Sequence, residues 1–333
     1  MSPTTLPELT SRGGIHLSGT ELWFDAETRR ALSFVSSAVM RRPAAHRTTL
    51  CSDQTAKLLA GMGRRQARRA ALLTAPYSHP FRLGPLKLEM LPAGGLIGNA
   101  QLLVRRHGVR ILYTGELTLE RLPLAPPATA THAALVIARA WIAGPNDDDR
   151  TRMEGNLLRF AEEQLSAGRC PILVAAVPAS VEIVDLFARH ALPCKLHRTV
   201  ERATEAFRSC GAPLAPLDSR PGKVAVEIWP ATATHTKSFR ERTSGATAGV
   251  ALVGREPPEN ARANGSLEPL HRNRFIWHAH PTATALVDWL VAAEPERVAL
   301  YGPDERHMQQ MLAERGVEAV ALSESGQLHL TLE

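Results

Sequence analysis

The basic side chains of this chain are concentrated in one early segment. Between residues 37 and 69, a single acid, Asp53, stands among eight cations: Arg41, Arg42, Arg47, Lys57, Arg64, Arg65, Arg68 and Arg69. Such a one-sided charge distribution is suited to contacts with nucleic-acid phosphates. The predicted nucleic-acid-binding residues are Arg41, Arg42, Arg64, Arg65, Arg68 and Arg69. The alternative is a solvated helix face without a partner.

Other patterns for catalysis or ion binding are absent or incomplete. The sequence contains neither the GxSxG turn of serine hydrolases nor the phosphate-cradling GxxxxGK[ST] loop. The acidic run GPNDDDR, Gly144 to Arg150, lacks the ligand spacing of a calcium-binding loop, so we predict a solvated turn before a helix. The four cysteines form no CxxC pair, which predicts free thiols rather than a zinc knuckle or disulfides.

The composition is that of a globular chain with room for one large or two medium domains. It has 333 residues, of which 44% are hydrophobic and 22% charged, and a net charge of +6. No apolar run approaches the roughly 18–20 residues needed to span a bilayer. The first residues lack the basic-then-apolar order of a secretory signal. We expect a cytoplasmic protein with no membrane partner.

Hydrophobic periodicity divides the elements into two groups. The first 120 residues are predicted to be mostly strands, with hairpins at Ser18-Gly19 and His107-Gly108 and a helix capped by Ser52. After a proline-rich connector at residues 122–131, strands and helices alternate, which predicts a parallel sheet covered by helices. One of those helices is predicted to begin at Ser180. Residues 231–273 are poor in apolar side chains, and 254–269 are predicted to be a loop.

Several phrases, in this order, resemble a known protein family. They include LWFDAE, FVSSA, LPAGGLIGNAQLLV, RILYTGEL and WHAHPTATALVDWL. The order resembles metallo-β-lactamase-fold nucleases of the β-CASP group, in particular bacterial ligase-associated DNA exonucleases and messenger 3′-end processing nucleases. The resemblance extends from Gly14 to about Leu330. It implies an α/β fold, an αββα sandwich formed by residues 1–150 and 270–333, with a β-CASP-like α/β lobe inserted at 151–269.

The metal ligands that this resemblance implies are not present. Active members place an HxHxDH motif after a strand, where this chain has Ser37, Val39, Arg41 and Arg42. Three more ligand positions fall on Gly95, on Glu116 in place of an aspartate, and on Gly302 or Tyr301. A β-CASP acid is replaced by Ala138 followed by Arg139. Because arginine is always protonated and the other replacements donate little, we expect no dizinc site and no cofactor.

Three residues remain from the implied catalytic site: Asp25, Glu116 and His280, the last matching a proton donor. Arg41 or Arg42 could neutralise the remaining carboxylates, since guanidinium groups form forked bonds to them. The alternative is an active DNA or RNA exonuclease or hydrolase with a rearranged zinc site built from Glu116, His278 and His280. His46 and His107 could lie near such a site.

The resulting hypothesis is a catalytically inactive pseudo-nuclease. We expect it to bind DNA or RNA, or to serve as a scaffold subunit in a repair or RNA-processing complex. The resemblance suggests an active nuclease, ligase or helicase as its protein partner. Fold likeness alone does not establish function, so these expectations require a site that supports them.

Overall fold

The computed structural model describes most of the chain. The described residues are 6–39, 44–63, 71–122, 124–144, 150–217, 222–244, 250–253, 273–277 and 280–323. Outside these ranges lie the six arginines predicted to bind nucleic acid, His278, most of the acidic run and the loop at 254–269. In the ranges described, no helix has the length and apolar composition needed to cross a bilayer.

The described part of the chain forms eighteen strands and seven α-helices. The first eleven strands are β1 (Leu9–Ser11), β2 (Ile15–Leu17), β3 (Leu22–Phe24), β4 (Leu32–Phe34), β5 (Thr48–Ser52), β6 (Ala71–Ala75), β7 (Phe81–Leu83), β8 (Leu86–Pro92), β9 (Ala100–Arg106), β10 (Val109–Tyr113) and β11 (Leu135–Arg139). The remaining strands are β12 (Ile172–Ala175), β13 (Cys194–Leu196), β14 (Val226–Pro230), β15 (Val250–Val253), β16 (Asn273–Phe275), β17 (Arg297–Tyr301) and β18 (Ala319–Ala321). The helices are α1 (Asp53–Gly61), α2 (Arg150–Ser166), α3 (Val177–Arg189), α4 (Arg198–Ser209), α5 (Lys237–Ser244), α6 (Ala283–Ala292) and α7 (Glu305–Glu314).

The chain divides into two compact units. The first comprises residues 1–143 and 279–333, and the second residues 144–278. The first unit contains a six-stranded sheet in the order β1-β2-β3-β4-β5-β6. It also contains a seven-stranded sheet in the order β18-β17-β11-β10-β9-β8-β7.

The two sheets of the first unit share one apolar core. Phe24 and Phe34 from the six-stranded sheet pack in it with Tyr113, Met90 and Leu102 from the seven-stranded sheet. Alternate residues of these strands face the core, as the two-residue period of a strand requires. Helix α1 packs against β5 and β6. The opposite face of the seven-stranded sheet, here called the outer face, is covered near β11 and β17 by α6 and α7.

The direction of the strands determines where functional side chains can meet. Strands β3, β4, β5 and β6 are mutually parallel, as are β10, β11, β17 and β18, whereas β7 to β10 are antiparallel. Parallel neighbours end at the same edge of a sheet. The residues after β3 and β4 therefore lie at one edge, and those at the ends of β10, β11 and β17 share another.

The second unit is built around a five-stranded parallel sheet in the order β13-β14-β12-β15-β16. Its strands are short, nearly continuous apolar runs, as expected where both faces of a sheet are covered. Within this unit, the Glu182 carboxylate accepts hydrogen bonds from Arg150 Nη2 at 2.8 Å and from Trp277 Nε1 at 2.9 Å. These bonds provide hydrogen-bond partners for a carboxylate on α3 that is almost fully buried.

Most of the predicted elements are present, with two corrections. Both hairpins are confirmed, and the Ser52 hydroxyl caps α1 by accepting from Thr55 N at 3.0 Å. Helix α3 begins at Val177 rather than at Ser180, because the proline at its second position supports an earlier start. Residues 231–273 contain α5 and β15, which their low apolar content did not indicate.

Candidate functional site

The two sheets of the first unit meet at a polar cluster beyond their carboxyl ends. Asp25 follows β3 and Ser36 lies just after β4, while Tyr113 ends β10. Tyr113 donates its hydroxyl to Asp25 Oδ2 at 2.8 Å, which joins the edges of the two sheets. Glu116 follows β10, and Arg139 and Tyr301 end β11 and β17 and face each other in the strand register. We call Asp25, Ser36, Tyr113, Glu116, Arg139 and Tyr301 the strand-end cluster.

Asp25 is held in an unusual backbone conformation by several hydrogen bonds. Its φ of 44° lies in the left-handed region, where aspartate is among the few tolerated non-glycine residues. Its carboxylate accepts from Ser36 N at 2.7 Å, from Ser36 Oγ at 2.5 Å and from Tyr113. Burial raises the pKa of Asp25, and the bonds from Ser36 and Tyr113 and the charge of Arg139 only partly oppose this rise.

Two tyrosines extend this network toward β17. The hydroxyls of Tyr113 and Tyr301 lie 2.8 Å apart and their rings are stacked. Burial raises the pKa of both phenols, and the nearby Asp25 charge raises it further. Both hydroxyls are therefore neutral donors and acceptors near neutral pH. Tyr301 stands at one of the two positions that the resemblance assigns to a histidine ligand, and a neutral phenol is a weak metal ligand.

The cation of the cluster is Arg139. Its Nη1 donates to Glu116 Oε1 at 2.6 Å, and the two side chains are 30% and 35% exposed. Burial lowers the pKa of Arg139, but Glu116, Tyr301, Tyr113 and Asp25 together raise it above the ordinary value. Arg41 and Arg42, for which the sequence predicts this role beside the carboxylates, lie outside the described residues. Among described residues, Glu116 is instead paired with the arginine that stands where the resemblance implies an acid.

His280 and Arg139 both contact the ring of Trp141. The Arg139 guanidinium is 4.4 Å from the Trp141 ring centroid, and the His280 and Trp141 rings are stacked with centroids 4.4 Å apart. The sequence analysis named His280 and Arg139 separately, but it connected neither of them with the other or with Tyr113 and Trp141. Strand topology could have indicated that these side chains meet, because the parallel strands β10, β11 and β17 bring their final residues together.

At two positions that the resemblance assigns to metal ligands, an added side chain would clash with neighbouring atoms. Gly95 has φ +74°, and a Cβ added there would lie 2.6 Å from Thr118 Oγ1. Gly302 has φ +126°, and its Cβ would lie 2.7 Å from the Ala140 carbonyl oxygen. Contacts below about 3 Å require neighbouring atoms to move, so neither turn can accept histidine without rearrangement. Ser37 is buried, and its hydroxyl accepts from Val39 N at 3.3 Å.

The other histidines considered as ligands lie at the far ends of the strands. His107 is in the β9–β10 turn, whereas the strand-end cluster is at the opposite end of β10. Buried His46 accepts from Arg30 N at 3.3 Å, just before β4 begins. Burial and the Arg30 charge lower the pKa of His46. His46 and His107 therefore lie at the opposite strand ends from the strand-end cluster.

The described residues do not fit a dizinc centre. Two zinc ions need several converging nitrogen and carboxylate donors. Within the described ranges, no three side chains of histidine, cysteine, aspartate or glutamate are grouped to hold a metal ion. The two acids of the strand-end cluster already accept hydrogen bonds from Ser36, Tyr113 and Arg139. A positively charged guanidinium beside them also repels a cation.

Comparisons with known proteins give a similar sequence and a similar fold. No family model matches the sequence. A probable DNA ligase from Opitutus terrae is 27% identical over 326 residues, a match that covers 95% of this chain. The same match covers 31% of the ligase, so this chain spans less than a third of that relative's length.

A solved structure has a similar fold. A crystal structure of a protein of unknown function from Enterococcus faecalis V583 aligns with 81% of this chain and 74% of its own, with a TM-score of 0.56. The sequences are 12% identical, so this likeness concerns the fold alone. The chain is thus a mixed α/β protein with sequence similarity to a probable DNA ligase.

Proposed function

We propose that this chain is a non-catalytic relative of the metallo-β-lactamase-fold, β-CASP nucleases and binds nucleic acid within a DNA-processing complex. The observation that carries the proposal is the Arg139–Glu116 ion pair in the strand-end cluster. The pair supports the proposal because Arg139 supplies a fixed positive charge beside Glu116, which the resemblance assigns to a metal ligand. Arg139 thereby offsets the charge of carboxylates that metal ions would otherwise offset.

The two glycines support the same proposal independently. A single ligand lost by substitution could be replaced by a neighbouring donor. At Gly95 and Gly302, however, an added Cβ would lie less than 3 Å from Thr118 Oγ1 and from the Ala140 carbonyl oxygen, so a histidine there would also require neighbouring atoms to move. Tyr301, the alternative position for the second of these ligands, is bonded to Tyr113. The loss involves several elements at once, which favours a binding or scaffold role over a rearranged active site.

Similarity to a probable DNA ligase supports DNA as the nucleic acid. The match covers nearly all of this chain but less than a third of the ligase, so that protein combines a similar segment with other sequence. We infer that the present chain works beside an enzyme that joins or trims DNA. The predicted partners are an active nuclease, a ligase or a helicase. A pseudo-nuclease would contribute DNA affinity or a docking surface to such an assembly, and it would not contribute bond cleavage.

The test combines metal analysis with DNA binding and cleavage assays. The full chain, purified without a chelating tag, is analysed for zinc, manganese and iron by mass spectrometry. It is then incubated with labelled single-stranded and duplex DNA, with and without added Zn²⁺ or Mn²⁺. We expect metal far below one ion per chain, salt-sensitive binding and no cleavage. Metal near two ions per chain, or chelator-sensitive cleavage, would establish the rearranged enzyme instead, with Glu116, His278 and His280 as its first candidate ligands.

A further inference from the structure

Four cations form a row across the antiparallel part of the seven-stranded sheet. Arg82 of β7 is directly opposite Lys87 of β8, and Lys87 is opposite Arg105 of β9. Arg105 is in turn opposite Arg110 of β10. Four neighbouring strands therefore each contribute one positive charge at the same level of the sheet. We call these residues the cross-strand row.

All four side chains project from the outer face of the sheet. Their neighbours along the strands, which include Leu86, Leu88, Val109 and Ile111, pack into the core between the two sheets. Because successive side chains of a strand point to opposite faces, Lys87 and the other three cations point away from that core. Arg82 and Lys87 are exposed, and Arg105 and Arg110 are partly exposed. The row is thus accessible to a large ligand.

The charges of the row are poorly compensated within the protein. Like charges directly opposite each other destabilise a sheet. In the described part of the chain, the row has one carboxylate neighbour, Glu89, whose Oε2 lies 3.6 Å from Arg105 Nη2. Arg110 donates to the His132 carbonyl oxygen at 2.7 Å. Burial lowers the pKa of Arg110, and the adjacent Arg105 charge lowers it further.

We propose that the cross-strand row binds the sugar–phosphate backbone of duplex DNA, an inference that rests on the proposed function and assigns it a surface. Adjacent strands are about 4.8 Å apart, so the row spans about 14 Å. Duplex DNA carries one charge per about 1.7 Å of its axis, which brings several phosphates within reach of a row of this length. The side chains are long and unbranched, so each can reach a phosphate whatever the base sequence of the DNA. The contact is therefore independent of base sequence.

Salt dependence of binding by single-site variants tests this assignment. The full chain is titrated into a fluorescent 20-base-pair duplex, and the logarithm of the association constant is plotted against the logarithm of salt concentration. Each phosphate contact contributes about −0.9 to the slope for duplex DNA. Arg82→Gln and Lys87→Gln are each expected to reduce the slope by about 0.9. This change corresponds to roughly eightfold weaker binding at 0.1 M salt.

Two matched controls separate this surface from a general effect of net charge. Arg29→Gln removes an exposed arginine between β3 and β4 of the other sheet and should leave the slope unchanged. Glu89→Gln removes the acid beside the row and should strengthen binding. Thermal unfolding gives an independent check, since Lys87→Gln relieves repulsion from both neighbours. Its melting temperature should equal or exceed that of the wild type, so weaker binding cannot result from unfolding.

The outcomes distinguish this inference from the proposed function. If the wild type binds DNA but the row variants keep its slope, the cross-strand row is not the binding surface, and the proposed function stands. An equal loss in Arg29→Gln also overturns the inference. If the wild type binds no duplex at 50 mM salt but binds anionic lipid vesicles, the DNA-binding proposal and this inference both fail.

Discussion

The Arg139–Glu116 pair allows a quantitative test of the strand-end cluster. We consider Arg139→Gln, which removes the charge and keeps a polar side chain of similar length. Exposed ion pairs contribute up to about 1 kcal/mol, and more sheltered hydrogen bonds to charged groups about 1.5–3 kcal/mol. With side chains 30% and 35% exposed, this pair falls between the two classes, so its coupling is expected to be about 1–1.5 kcal/mol.

The single substitution should destabilise the protein by more than this coupling. Arg139 also lies over the Trp141 ring, a contact that contributes about 0.5–1 kcal/mol. The free energy of unfolding should therefore fall by about 2 kcal/mol. For a folded unit of this size, that loss lowers the melting temperature by about 4–8 °C.

A double-mutant cycle isolates the ion pair. Urea unfolding of the wild type, Arg139→Gln, Glu116→Gln and the double variant gives the coupling energy directly. The matched control is the Arg315–Asp288 pair of the same unit, whose side chains are 48% and 56% exposed and whose coupling should stay below about 0.5 kcal/mol. A coupling for Arg139 and Glu116 within about 0.3 kcal/mol of zero would refute the argument that Arg139 offsets the charge of this acid.

Three further substitutions test other parts of the structure. The raised pKa of Asp25 stabilises the fold below the ordinary carboxyl pKa of 3.8, and this contribution is lost as pH rises. In denaturant titrations, Asp25→Asn should therefore gain stability relative to wild type as pH rises above 3.8. For Glu227, burial raises the pKa, but hydrogen bonds and charge from Arg242 lower it below the ordinary 4.5. Arg242→Gln should therefore lower the free energy of unfolding, and this deficit in stability should be full at pH 7 and shrink as pH falls below about 4.5. A deficit that grows with acidity would contradict this assignment. Gly95→Ala should destabilise by roughly 1–3 kcal/mol in urea, because its φ is positive and its Cβ meets Thr118, whereas unchanged stability would mean that this turn can open.

The strand-end cluster and the cross-strand row have different electrostatic character. In the cluster, Arg139 faces Glu116 and lies near Asp25, so its charge is largely balanced within the protein. In the row, Arg82 and Lys87 are exposed beside other cations, so their charge is available to a ligand. This contrast favours a structural role for the strand-end cluster and a binding role for the outer face of the sheet.

Much of the fold could be predicted from local patterns. Alternation of apolar residues over two-residue turns indicated the hairpins, and a serine before an apolar helical face indicated α1, because these signals depend on residues close together in the chain. The absence of histidines at Ser37, Val39, Gly95 and Gly302 was likewise visible without coordinates. The lack of metal-donor side chains at the positions that the resemblance assigns to ligands could therefore be predicted from residue types alone.

The partners within the site required the folded sheets. Arg139 and Glu116 are 23 residues apart, and Asp25 and Tyr113 are 88 apart, and neither pair forms a sequence motif. They meet because strand pairing and the packing of two sheets bring together the ends of distant strands. The cross-strand row has the same origin, since its alignment depends on the register of four strands. A one-residue slip in that register would turn a strand's cation toward the core, and no local pattern specifies the register.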